Sequence, residues 1–297
     1  MVLFMRVAVL DVGSNTVRLL VAEARGSSVA AVREAKKLLL LGKEIERRGS
    51  LSHVKLEDVR QCASGFAALA RESGVARLDV VVTAPGRQAE NAAQLLRILG
   101  QATAAPVRVL SADEEGRLAW EGAVAASAEP GGTLAVCDVG GGSTEIVVGT
   151  RQHGPAWSRS LDVGCLRLTE RLIDSDPPGK EAMRRVRESV AEAFDGLTAP
   201  LPQAAIATGG TARALKKVVG GSLGEAELDQ AVRRLTKRTA REISRSAGVD
   251  RERARTLLAG ALILCEVQRR LARPLIVSPA GLREGVALGL LAEPAAA

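Results

Sequence analysis

At 297 residues the chain is long enough for about two domains, and 46% hydrophobic with 25% charged residues is ordinary globular composition, which excludes a disordered chain. Aromatic residues are 2%, with no Tyr, which argues against binding single strands by stacking bases on aromatic platforms, and the only histidines, His53 and His153, leave little material for a zinc hydrolase or a Ser-His-Asp triad. The net charge of +7 is shared between the halves, 17 basic against 14 acidic residues up to position 124 and 24 against 20 beyond it, and so favours an anionic partner without naming one.

The chain opens on an apolar run, R-V-A-V-L-D, then a small-residue turn, V-G-S-N-T, then a second apolar run, V-R-L-L-V. An apolar run bounded by turn residues reads as a buried strand, and two such runs around a short turn read as a hairpin. Helical patterning follows over 57–72 and 88–99, with a strand at 79–83 between them, then a strand at 107–110 and a helix over 114–126. The segment A-A-S-A-E-P-G-G at 125–132 breaks that pattern and marks the domain boundary, which divides the chain into 1–124 and 125–297. Residues 133–148, T-L-A-V-C-D-V-G-G-G-S-T-E-I-V-V, then repeat the opening hairpin, with Asp138 and Gly140 each 127 positions after Asp11 and Gly13. Helices over 180–195, 211–218, 225–246 and 252–271 alternate with strands at 204–208 and 275–277. A last helix, Leu282 to Leu291, has an apolar pattern that would also let it pack back on the first domain. Such alternation predicts an α/β protein with helices against central sheets.

Cys62, Cys137, Cys165 and Cys265 are widely spaced, form no C-x-x-C pair, and read as small core residues in a reducing compartment. No apolar run approaches the ~20 residues of a spanning helix. The N-terminal run is interrupted by Arg6 and Asp11 and has no signal-peptide pattern, so no membrane association and a cytoplasmic location are expected.

The two hairpin motifs, D-V-G-S-N-T-V-R-L-L from Asp11 and D-V-G-G-G-S-T-E from Asp138, resemble the two phosphate loops of the actin-like ATPase superfamily. Within it the wording is most similar to the exopolyphosphatase/guanosine pentaphosphate phosphohydrolase family. Four further segments fall in the matching order: T-A-P-G-R-Q-A from Thr83, S-A-D-E-E-G-R-L from Ser111, A-T-G-G-T from Ala207 and L-R-E-G from Leu282. The resemblance implies two actin-like (ribonuclease H-like) α/β domains with a cleft between them, in the short form without an added helical domain. It implies Mg²⁺, with Mn²⁺ as an alternative, and inorganic polyphosphate or guanosine pentaphosphate as substrate. The family usually reads T-S-A-x-R-x-A and S-G-x-E-E-A in the two middle segments, so this chain departs from both while keeping Arg87 and Glu115 in register.

Phosphoanhydride hydrolysis passes through a loose transition state, and catalysis is mostly positioning and charge stabilisation. Gly13, Ser14, Asn15 and Thr16 in one loop, and Gly140, Gly141, Gly142, Ser143 and Thr144 in the other, offer N–H and hydroxyl donors with little bulk. Arg18 and Arg87 would add guanidinium contacts. Asp11 and Asp138 are read as metal ligands, since carboxylates with phosphate oxygens and water suit Mg²⁺; the competing reading is capping of the turn backbone. By resemblance Glu115 activates the attacking water; from the residues alone, Asp113-Glu114-Glu115 is an acidic first turn favoured by the helix dipole. Glu145 reads either as a second catalytic carboxylate or as a strand-capping group. Gly209-Gly210-Thr211 opens a helix after a strand, which suits either an anion at the helix N-terminus or plain turn chemistry.

Arg233, Lys237, Arg241 and Arg245 recur every four residues on one face of the predicted 225–246 helix, either as a solvated face or as a steering surface for a polyanion. Nucleic acid would be attracted to it only non-specifically. A symmetric homodimer is the default expectation for an assembly. Outside the hydrolase reading stand a small-molecule kinase and a non-catalytic polyphosphate or alarmone sensor.

Overall fold

The computed structural model describes residues 5–129 and 131–293. In chain order its elements are β1 (Arg6–Val12), β2 (Thr16–Arg25), β3 (Ser28–Leu38), α1 (Leu41–Arg48), α2 (His53–Glu72), β4 (Arg77–Val82), α3 (Ala84–Gln88), α4 (Ala92–Thr103), β5 (Val107–Val109) and α5 (Ala112–Ala125). They continue as β6 (Thr133–Val139), β7 (Thr144–Thr150), β8 (Gly154–Leu161), α6 (Cys165–Leu172), α7 (Lys180–Ala193), β9 (Ala204–Thr208), α8 (Gly209–Val219), α9 (Glu225–Lys237), α10 (Ala240–Ala247), α11 (Arg251–Leu271), β10 (Leu275–Val277) and α12 (Leu282–Ala292). Two compact units result. One runs to Ala126 and resumes at Leu282; the other is Ser127–Gly281. The last helix therefore groups with the first unit, where its apolar residues Leu282, Val286 and Ala287 are buried.

In the first unit a five-stranded sheet has the order β3-β2-β1-β4-β5. β1 pairs antiparallel with β2 and parallel with β4, and β4 pairs parallel with β5. Both faces of β1 are buried, which is why its sequence reads as an unbroken apolar run rather than an alternation. Ala8, Leu10 and Val12 join one core with Val59, Ala63, Leu95 and Leu99 of α2 and α4. Val7 and Val9 join the other with Leu118 and Ala119 of α5 and Val286 of α12. α5 and α12 pack side by side on that second face.

The second unit repeats the plan. Its sheet, read from the other edge, is β8-β7-β6-β9-β10, with the same antiparallel and parallel pairings in the same places. Its core gathers Ala135, Cys137 and Val139 of β6 with Phe194 after α7, Leu215 of α8 and a long buried face of α11 that includes Leu257, Ala261 and Leu264. Among the described residues no helix is long and apolar enough to cross a membrane.

The hairpins and the four other predicted strands are all present. The sequence reading had no counterpart for β3 and β8, the third strand of each sheet. β3 exposes Ala31–Glu34 and carries four charged residues, Arg33, Glu34, Lys36 and Lys37, so its short apolar run gives way to charge before it reads as a strand.

Candidate functional site

Ligands of α/β sheets sit beyond the carboxyl ends of the parallel strands, and in each unit the motif residues collect there. In the first unit, β1 ends in the Gly13–Asn15 turn, β4 ends at Thr83 and α3, and β5 ends at Ser111 and α5. The three ends are tied together: Thr83 N donates to Val12 O at 3.2 Å, and Leu110 N donates to Val82 O at 2.9 Å. In the second unit the corresponding ends carry Gly140–Ser143, Gly209–Thr211 and Ser278–Gly281, with Ser278 N donating to Ala207 O at 2.9 Å.

The two loops are built alike. Gly13 N donates to Thr16 O at 3.1 Å and Gly140 N to Ser143 O at 2.9 Å, closing equivalent four-residue turns. In each case the loop carbonyls are taken up by the backbone that follows the third strand. Leu39 and Leu40 donate to Asn15 O and Gly42 to Ser14 O; Cys165 donates to Gly140 O, and Leu166 and Arg167 to Gly141 O. Gly164 makes the second contact feasible, because a Cβ there would collide with the Gly141 carbonyl. Turning the carbonyls to one side directs amides to the other. Among the described residues the amides of Ser14, Gly141 and Gly142 donate to no protein acceptor. That is the donor pattern of a phosphate cradle.

The expected hydroxyl donors divide. Thr144 Oγ1 donates to Val163 O at 2.6 Å and Thr211 Oγ1 to Val139 O at 2.8 Å, and both residues are buried. A hydroxyl carries one proton, so these two brace the loop rather than donate to a ligand. Thr16 Oγ1 accepts from Arg18 Nε at 3.2 Å, and Ser14 and Ser143 are buried in the loops themselves.

Cross-strand register distinguishes the units. Asp11 stands opposite Arg18, whereas Asp138 stands opposite Glu145. Residues directly opposite share a sheet face with Cβ atoms about 5 Å apart, so the second unit has paired carboxylates where the first has a carboxylate beside a guanidinium. Glu145 is 2% exposed and accepts from Ser160 Oγ at 3.0 Å. Asp138 lies against the start of α8. Gly209 there has φ +82° and its Cα faces Asp138 Oδ1, leaving no room for a Cβ. Among the described residues no three His, Cys, Asp or Glu side chains converge on one point. Mg²⁺ needs fewer: it is commonly held by one or two carboxylates with substrate phosphates and water, and Asp138 with Glu145 fits that donor set.

Glu115 lies in the first turn of α5 and is 9% exposed. Arg87 Nη1, from α3, donates to Glu115 Oε2 and to Leu110 O, each at 2.8 Å. Arg87, expected on phosphate, is thus also the group that orients Glu115. Its neighbour Glu114 has a separate task. Ser111 Oγ accepts from Glu114 N at 3.2 Å, and Glu114 Oε2 accepts from Ser111 N at 2.8 Å, a complete capping box. The bonds to Ser111 hold the Glu114 carboxyl below its ordinary pKa. Asp113-Glu114-Glu115 therefore splits into a cap and a buried, arginine-held carboxylate.

The basic stripe is not one helix face. α9 ends at Lys237, Arg238 is extended, and Thr239 with Glu242 forms a second capping box that starts α10. Arg233 and Lys237 belong to α9, and Arg241 and Arg245 to α10. The signal was T-A-R-E at 239–242, a cap pattern inside a continuous periodic stretch. Arg167 also went unread: on α6, it is 6% exposed and its amide holds the second loop, and it shows in the sequence as an arginine on an apolar helix face.

A profile of the Ppx/GppA phosphatase family matches residues 20–293. Exopolyphosphatase 1 of Mycobacterium tuberculosis is 30% identical over 302 residues, covering 96% of this chain and 88% of that protein. Exopolyphosphatase 2 of the same organism is 30% identical over 316 residues, covering 96% and 98%. Among solved structures, the Aquifex aeolicus Ppx/GppA enzyme superposes with a TM-score of 0.80 at 30% identity, over 96% of this chain and 99% of that one. An exopolyphosphatase from Cytophaga hutchinsonii shares the fold, with a TM-score of 0.87 at 21% identity over 97% and 98% of the two chains.

Proposed function

Because the chain belongs to the Ppx/GppA phosphatase family, we propose that it is an exopolyphosphatase, releasing orthophosphate from the end of inorganic polyphosphate. The observation that carries this reading is the Arg87–Glu115 pair beside the first phosphate loop: a buried carboxylate held in one orientation at the carboxyl ends of β1, β4 and β5.

In this reading the loop amides are the donors to nonbridging phosphate oxygens, Ser14 with Asn15 and Thr16 in the first unit and Gly141 and Gly142 with Ser143 and Gly210 in the second, and Arg18 adds charge; the Gly13 and Gly140 amides, expected on phosphate, are spent closing the two turns. Glu115 accepts a proton from water as its oxygen bonds to the terminal phosphorus. The bond from that phosphorus to the bridging oxygen breaks, and its electron pair leaves with the shortened chain. The products are orthophosphate and polyphosphate one unit shorter, and the proton passes from Glu115 to solvent. Donors fixed in advance toward developing charge need no rearrangement during the step, which is where such a site gains most. Mg²⁺, or Mn²⁺ in its place, would neutralise charge on the phosphate oxygens; Asp138 with Glu145, and Asp11, are the groups assigned to hold it.

The test is orthophosphate release from short polyphosphate, long polyphosphate and guanosine pentaphosphate, with Mg²⁺ or with EDTA. Metal-dependent release, fastest from polyphosphate, is expected. Faster release from guanosine pentaphosphate would move the chain to the family's other activity. No release from any of the three by folded protein would overturn the hydrolase reading in favour of a sensor.

A further inference from the structure

Among the described residues, more than half of the arginines outside positions 233–255 are ion-paired. Arg60 bridges to Glu57, Arg108 to Asp79, Arg184 to Glu181 and Glu188, and Arg269 and Arg270 to Glu266. One region of the second unit differs. Residues 233–255 hold nine basic and three acidic side chains, a net +6 within 23 residues of a chain whose total is +7. Among the described residues Arg233, Lys237, Arg238, Arg241, Arg245, Arg251 and Arg255 form no ion pair, and all seven are exposed. Two of the three acids in this stretch are spent on backbone. Glu242 caps α10 through Thr239, and Asp250 caps α11 by accepting from Glu252 N and Arg253 N.

The cations are contiguous. Arg241 and Arg245 lie one helical turn apart on α10, as do Arg251 and Arg255 on α11, and a three-residue turn, Gly248–Asp250, joins the two helices. Arg238 and Arg255 line the same crevice. Lys217, near the end of α8, reaches the Gly248 carbonyl at 3.5 Å. This last contact fixes the distance to the second phosphate loop. α8 begins at Gly209 against Asp138 and ends by the patch; its eleven residues span about 16 Å at 1.5 Å per residue.

We propose that this surface is a second, non-catalytic site for the body of a long inorganic polyphosphate chain; the choice of polyphosphate rests on the function proposed above. Guanidinium groups match phosphate in charge and geometry. Positions 233–255 contain no aromatic residue, no Asn and no Gln, so nothing there offers a stacking platform or the adenine-reading amide that sequence recognition of nucleic acid uses. A chain end bound at Gly140–Thr144 reaches the patch only if many phosphates follow it, so the site discriminates by length.

Binding decides this without turnover. The full chain is titrated in EDTA with long-chain polyphosphate, tripolyphosphate and single-stranded RNA, as wild type and as the quadruple variant R241A/R245A/R251A/R255A. Long-chain affinity should fall about tenfold or more in the variant with a shallower salt dependence, tripolyphosphate binding should change far less, and polyphosphate should displace RNA. Equal long-chain affinity in the two proteins would overturn the proposal, as would RNA that binds more tightly than polyphosphate and resists displacement by it. A protein that binds as expected yet releases no orthophosphate would sink the hydrolase reading and leave this site standing.

Discussion

Arg87 and Glu115 are 28 positions apart, and their meeting at 2.8 Å depends on β4 and β5 lying side by side. The sequence marks both residues as candidates, but only the pairing shows that one orients the other. Asp138 and Gly209 are a similar case. The duplicated Asp is legible as a motif, while the need for glycine 71 positions later arises only because β9 delivers α8 against the carboxylate. Gly209→Ala should therefore cost about 1–3 kcal/mol in chemical denaturation, since it adds both a left-handed backbone penalty and a clash; an unchanged midpoint would contradict the described contact. Of the four cysteines expected in the core, Cys62, Cys137 and Cys165 are buried and Cys265 is half-buried. Burial pushes the Cys62 and Cys265 thiols up to about 11, and drives Cys137 higher still. A thiolate is the reactive form, so at pH 8 roughly one in a thousand of the Cys62 and Cys265 thiols is ionised. Alkylation of native protein at that pH should be slow at Cys62, Cys137 and Cys265 and fast only after unfolding, as peptide mass mapping would show.

The elements that position the site owe their ends to local chemistry. Ser111 and Glu114 start α5 one residue before Glu115, so the cap also sets where the carboxylate emerges. Ser111→Ala should lower stability by about 1 kcal/mol, read as a shifted denaturant midpoint with unchanged slope. The cap also has a pH signature. The folded Glu114 pKa lies below its ordinary value, so its contribution is full above the ordinary carboxylate range, about 4.3, and is lost as pH falls through the folded value. Acid unfolding of Glu114→Gln should accordingly show a weaker loss of stability below about pH 4 than wild type. Periodicity alone missed the break between α9 and α10, because the apolar spacing runs on through Leu228, Val232, Leu235 and Ile243 while the backbone stops at Arg238. It missed β3 and β8 for the opposite reason: neither strand has a fully buried residue, and charged or polar residues interrupt the apolar ones in both, so no sustained apolar run announces them.

At the scale of the molecule, the echo at an offset of 127 proves to be a duplicated sheet, the same strand order and pairing in each unit, with the same turn closed by the same hydrogen bond. Duplication explains why both loops look alike, and divergence explains why their chemistry does not. Arg18 occupies the position that Glu145 fills in the other copy, which leaves the carboxylate pair in the second unit, while the arginine-held carboxylate Glu115 lies in the first. The hydrolysis proposed above requires Glu115 and attack by water on the terminal phosphorus. The direct measurement is polyphosphate turnover in ¹⁸O-water for wild type and Glu115→Gln, with the released orthophosphate analysed by mass. One solvent oxygen in each orthophosphate, at a rate that falls about 10²–10⁴-fold in the variant, is the predicted result. Label appearing in the residual chain instead, phosphate transferred to an acceptor without release, or an undiminished rate in Glu115→Gln would contradict it.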